Sequence, residues 1–124
     1  MPYQTIWEQQ GVFWKYSGII TNEDIVHSNN EFYGNPRSED ANYQLVDGTK
    51  IEKLKIDLSS VELLAATDYA CGLSLKKLKV AFVSVRPEIS ELFEAYIDFA
   101  IEYNCKWECK IFNDLAAARE WALS

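Results

Sequence analysis

The stretch of this 124-residue chain richest in chemistry is Asp57–Leu64, "DLSSVELL". It sets an acid and two hydroxyls directly ahead of an apolar helical run. Two chemistries fit that arrangement. The first is helix capping, in which a side-chain oxygen accepts a free backbone N–H; Ser59-x-x-Glu62 has the spacing of a capping box, whose loss costs about 1 kcal/mol. The second is phosphorylation of Ser59 or Ser60, which would add about −1.5 to −2 charge at a helix N-terminus. Capping suffices to explain the serines, so a helix start is the principal reading and a phosphoacceptor the alternative. Asp68, further along, falls among Val61, Leu64, Cys71 and Leu75 on one helical stripe. A carboxylate there needs hydrogen-bond donors or a raised pKa. It marks either a pocket or, as the plainer expectation, the edge of the stripe, where it reaches a backbone donor. Asp68 is therefore a candidate pocket acid.

Other reactive groups are sparse. His27 is the only histidine and has no nucleophile near it in sequence, so it is expected at the surface. The three cysteines, Cys71, Cys105 and Cys109, contain no CxxC pair. In an extended strand Cys105 and Cys109 stand roughly 13 Å apart, too far to bridge. They read as reduced core cysteines, and neither their spacing nor the lone histidine suits a zinc site. There is no glycine-rich phosphate loop and no GxSxG elbow, so no catalytic residues, cofactor or metal are expected.

Charge narrows the partners. The net charge is −7 at pH 7, which disfavours nucleic acid and anionic membrane surfaces. The lysines at 50, 53 and 55 and at 76, 77 and 79 lack interleaved aromatics and read as solubilising residues flanking strands. "MPYQTIWEQQ" has no signal-peptide character, and no segment approaches the ~20 apolar residues of a membrane span. A cytoplasmic location is expected.

The elements that must position these residues follow from periodicity. "YQTIWEQQGVFWKYSG" reads as two strands, about 3–9 and 12–17, turning near Gln10-Gly11. The second carries Phe13 on one face and Trp14 and Tyr16 on the other, which suits a strand in the sheet interior or one covered by a partner; exposed, such a patch would suit a homodimer contact. "TNEDIVHSNNEFYGN" reads as a helix capped by Thr21 and ended by Gly34-Asn35-Pro36, and "NPRSEDAN" as a loop. Tyr43–Asp47 is a strand; Asp47-Gly48 then signals a hairpin or an irregular link. A helix is expected from about 60 to 76, and "KVAFVSV" has the continuous apolar character of a central parallel strand. Pro87 opens an amphipathic helix whose Glu88, Glu91, Glu94, Asp98 and Glu102 form a solvated acidic stripe. "KWECKIF" alternates as a strand, and "NDLAAAREWAL" is a final helix capped by Asn113 or Asp114. The order β-β-α-β-α-β-α-β-α predicts an α/β fold in one domain, residues 1–124: a mixed, mostly parallel five-stranded sheet with four helices.

This order, with "GVFWKYSGIIT", "YQLVD", "LSSVELLAATD", "KVAFVSV" and "IFNDLAAAREWAL", resembles the STAS-like (SpoIIAA-like) fold of bacterial anti-sigma-factor antagonists and of small bacterial proteins described as STAS/SEC14-like. The resemblance covers nearly the whole chain, and it favours a strand with an irregular link at 43–56 over a hairpin. In antagonists of that family a serine in an Asp-Ser-Ser-Gly turn is phosphorylated by a partner kinase. The resemblance places Asp47 and Asp57 at the two acids and Ser59 or Ser60 at the phosphoacceptor. The chain departs from the pattern in three ways: Leu58 separates acid from serines, Val61 replaces the glycine, and the link is longer. The reading that results is a non-catalytic binding or regulatory module acting on an unidentified protein partner, with homodimerisation through the N-terminal aromatic strands. The alternatives are a serine phosphoswitch, or a SEC14-like carrier of a small apolar ligand or lipid, with Trp14, Tyr16, Phe93 and Tyr96 lining its pocket.

Overall fold

The computed structural model describes residues 2–124. Five strands lie in sequence order across one sheet: β1 (Tyr3–Trp7), β2 (Gly11–Thr21), β3 (Tyr43–Lys55), β4 (Lys79–Val83) and β5 (Glu108–Phe112). The β1–β2 pair is antiparallel and every later pair is parallel. Between them run α1 (Asn22–Tyr33), α2 (Leu58–Gly72) and α3 (Pro87–Glu102), and α4 (Leu115–Leu123) closes the chain. The α/β class, the mixed five-stranded sheet and the order of elements are as the sequence predicts.

Connectivity decides which face each helix covers. The three crossovers each advance one strand in the same direction, and parallel crossovers are right-handed, so α1, α2 and α3 fall on one face. That face carries the larger core, with Val12, Trp14 and Tyr16 of β2 beside Val46, Val80 and Phe82. The other face buries Phe13, Tyr43, Leu45, Ala81 and Val83 under Ala118 and Ala122 of α4. Small residues on α4 let it lie close to the sheet. Arg119 of α4 pairs with Glu8 at 2.7 Å and sits over the Phe13 ring, fastening this helix to the β1–β2 turn.

Four sequence expectations need correction. The aromatic surface proposed for a dimer is consumed inside the chain: Trp14 is 2% exposed, and Phe13 and Tyr16 are also buried. Trp14 and Tyr16 pack in the core beneath α1–α3 and Phe13 in the cluster beneath α4, so these three side chains are not free to meet a second copy. The link after Asp47 is strand: Lys50–Lys55 stay paired with Ser17–Thr21 through two register shifts, which also lengthens β2 to Thr21. Gly48 and Thr49 occupy the first bulge, where the Asp47 carboxylate accepts the Thr49 N–H (3.0 Å) and hydroxyl (2.7 Å). A local Asx turn of this kind looks like a hairpin signal in sequence. A Cβ on Gly48 would come within 3.0 Å of the Val83 carbonyl oxygen, so the bulge needs a glycine. The "NPRSEDAN" loop contains a 3-10 turn, Pro36–Asp40, started by the Asn35 side chain accepting the Arg37 N–H. Finally α2 spans Leu58–Gly72, earlier at both ends than expected, and Leu78 beyond it turns into the core.

Gly11 at the start of β2 lies against the Tyr43 backbone and ring, and a Cβ there would stand 2.7 Å from Tyr43 Cδ1. Gly11→Ala is therefore expected to cost about 1–3 kcal/mol, the range for overpacking a tight site. Urea denaturation measures this directly, and an unchanged midpoint would contradict the packing described.

Candidate functional site

The β2–β3 pair runs on past the end of β4, and helices start at its tip. Thr21, the last residue of β2, pairs with Lys55, the last of β3. α1 leaves directly after Thr21 and α2 after only two intervening residues beyond Lys55, so two helix N-termini lie side by side. Thr21 caps α1 as predicted, in a reciprocal capping box with Asp24. The α2 cap is Asp57, and not Ser59 as the capping-box spacing suggests. The Asp57 carboxylate accepts the Ser60 N–H at 2.8 Å and the Ser59 hydroxyl at 2.9 Å. Glu62, the other half of the expected box, instead accepts the Tyr103 hydroxyl at 3.1 Å. Asp57 wins because it sits one residue before the first helical residue, where its backbone is extended and its side chain reaches the third helical N–H. The Ser60 N–H, then the serine hydroxyls, hold its carboxyl below the usual carboxylate range. Ser59 is exposed, whereas Ser60 is half-buried and faces inward.

Beneath the tip, between the sheet and α1–α3, lies a cavity of about 80 Å³. Trp14, Tyr16, Phe93 and Tyr96, the residues predicted to line a pocket, all line it. Ser60 lies in its wall, as do Asp68 and Gln44. α2 places Asp68 inward because Val61, Ala65 and Asp68 form its buried stripe, while Leu63 and Leu73 on the opposite face are exposed.

Asp68 is 5% exposed and does not reach a backbone donor at the stripe's edge, as the plainer expectation had it. Its two carboxylate oxygens each accept a tyrosine hydroxyl at 2.6 Å, Oδ1 from Tyr33 of α1 and Oδ2 from Tyr96 of α3. Burial pushes the Asp68 pKa up to about 6, opposed by these two hydrogen bonds. Burial and the nearby carboxylate push both tyrosines well above their ordinary value. Burial likewise drives the Cys109 thiol to about 12 and pushes the Cys71 thiol up, so these two are poor nucleophiles. His27 is exposed on α1, its Nδ1 3.2 Å from the Tyr3 hydroxyl.

Gln44 escaped the sequence reading. It pairs with Val12 and Val80 in neighbouring strands, so its side chain points to the same helix-covered face. It is as buried as Asp68 and lines the same cavity. The available signal was a glutamine inside "YQLV", a strand covered on both faces.

No protein-family model matches the chain, and no curated protein matches it. Among solved structures it is similar to an uncharacterised protein of the DUF3478 family with a SpoIIAA-like fold from Shewanella loihica PV-4. The TM-score is 0.58 at 17% sequence identity, over 97% of this chain and 91% of that one. Likeness at that identity shows the fold alone, and the fold is SpoIIAA-like. Among the described residues no helix is long and apolar enough to cross a membrane, and no cluster of His, Cys, Asp and Glu could hold a metal ion.

Two outcomes follow from this geometry. Asp57→Ala should lower the melting temperature more than Ser59→Ala; the reverse order would restore Ser59 as the cap. Asp68 has a folded pKa of about 6 against an ordinary 3.8. Its protonated form is thus the one that favours folding: the contribution is complete below about 3.8 and is lost as pH rises through about 6. The groups facing it are Tyr33 of α1, Tyr96 of α3, Cys71 of α2 and Cys109 of β5, all neutral in this range. Between roughly pH 4 and pH 7.5 the chain should lose about 3 kcal/mol relative to Asp68→Asn, read from urea midpoints. Parallel pH profiles would show that Asp68 titrates normally.

Proposed function

We propose that the chain is a STAS-type regulatory module that does no covalent chemistry and works by docking a partner protein at the tip where α1 and α2 begin. The supporting observation is the exposure there of Leu58 (59%) beside Ser59, directly next to the start of α1. Leu58 opens α2 yet contributes nothing to the core. Ile19, 52% exposed near the end of β2, adds a second apolar side chain to the same end. The acidic stripe of α3 is a weaker candidate: all five acids are solvated and Arg86 pairs with Glu88, as a plain outer face requires. The cavity of about 80 Å³ is well under the 300 Å³ at which pockets for drug-sized ligands begin, which leaves a lipid carrier without room for its cargo.

The phosphoswitch is the second reading, favoured by one observation. Ser59 is exposed, and its hydroxyl is engaged only by Asp57. A phosphate there would break that bond and stand against the Asp57 carboxylate, while two adjacent helix N-termini would attract it. Phosphorylation would thus rearrange the docking tip without touching the core.

A photo-crosslinking residue placed at Leu58 should give one discrete protein adduct in the source cells, and the same residue at Glu94 on the outer face of α3 should give none. Equal labelling from both positions, or none from Leu58, would remove the tip as the docking site. For the second reading, peptide mapping of protein recovered from those cells should find phosphate on Ser59 and not on Ser60; uniformly unmodified Ser59 would end it.

A further inference from the structure

The cavity holds a charge that the chain itself does not neutralise. Asp68 is nine-tenths buried, and both its hydrogen-bond donors are neutral hydroxyls. No Lys, Arg or His lines the cavity, and Asp68 belongs to none of the ion pairs among the described residues. Buried carboxylates in folded proteins are ordinarily paired.

The walls next to this carboxylate are aromatic. Phe82 of β4 stacks on Phe93 of α3 at 4.6 Å between centroids and meets Tyr96 edge-on at 5.6 Å. Trp14 and Tyr16 of β2 line the same space. Ring faces carry negative quadrupole density and attract cations, the more so where water is excluded. On the sheet floor, the Gln44 carboxamide adds an acceptor oxygen to the same lining.

We propose that this cavity is a binding site for a small organic cation, an alkylammonium group seated against the Asp68 carboxylate, with the Gln44 carbonyl as a second acceptor and the aromatic wall around its carbons. A volume of about 80 Å³ limits the occupant to a head of a few heavy atoms. The uncompensated charge excludes anions, so carboxylates and phosphates are not ligands. Burial raises the proton affinity of Asp68, and an arriving cation supplies the counter-charge in place of the proton. Ser60 lies both in the cavity wall and in the α2 cap, so an occupant touches the segment that presents Leu58 and Ser59. The site stands independently of the docking face.

Titration of the ¹⁵N-labelled protein with n-propylammonium chloride, 1-propanol and sodium propionate at matched ionic strength tests this. Propylammonium should shift the Gln44 side-chain amide and the Trp14 indole N–H saturably, with propanol about tenfold weaker or more and propionate inactive. Asp68→Asn should equalise the amine and the alcohol. Should that variant fail to fold, Phe93→Leu opens the aromatic wall without touching the polar floor and should weaken propylammonium severalfold, with unchanged affinity counting against the site. Propanol or propionate binding as tightly as propylammonium, or no saturable shift with any of the three, would overturn the proposal.

Discussion

One carboxylate joins three helices. Asp68 projects from α2 into the space under the sheet-facing sides of α1 and α3, and a tyrosine from each of those helices donates to one of its oxygens. At 2.6 Å both contacts lie in the short range of charge-assisted O–H···O⁻ bonds. Such bonds contribute about 1.5–3 kcal/mol each. Removing a carboxylate from water costs several kcal/mol, so the two terms come close to cancelling. Desolvation is the larger of the two and raises the Asp68 pKa against both hydroxyls. A leucine in that place would pack against Val61 and Leu64 at no such cost. Asp68 therefore fixes how the three helices meet, and leaves a polar, charged point in an otherwise apolar space.

The architecture was legible in the sequence to the extent that periodicity is local. The proline at the start of α3 and its acidic stripe, the apolar run of β4 and the alternation of β5 are each written within a few residues, and each stands where expected. β3 was not legible beyond Asp47. Its continuation to Lys55 depends on a ladder with β2 that absorbs two bulges, and the Asp47–Thr49 turn imitates a hairpin locally. The aromatic strand β2 left two readings open for a related reason. Aromatics on both faces fit a dimer surface as well as a doubly covered strand, and only the placement of α4 opposite α1–α3 decides between them.

The site shows the same division. That "DLSSVELL" begins a helix could be read directly, but the capping residue depended on where the first helical turn falls, and one residue of offset moved the role from Ser59 to Asp57. Asp68 could be recognised as an anomaly on an apolar stripe. Its partners could not, since Tyr33 and Tyr96 are separated from it by 35 and 28 residues. Gln44 looked ordinary until the sheet placed it on the covered face. Together these residues give the SpoIIAA-like frame two features side by side: an exposed tip suited to docking and, under it, a small cavity with a charged wall, linked through Ser60.

The charged cavity depends most on Asp68 being a desolvated carboxylate without a cationic partner. The direct measurement is an NMR titration of its side-chain carboxyl carbon in the full chain. The midpoint should lie near 6, well above the ordinary 3.8. A midpoint at or below 3.8 would mean that the carboxylate is solvated or paired with a cation, and the charged cavity would be lost with it.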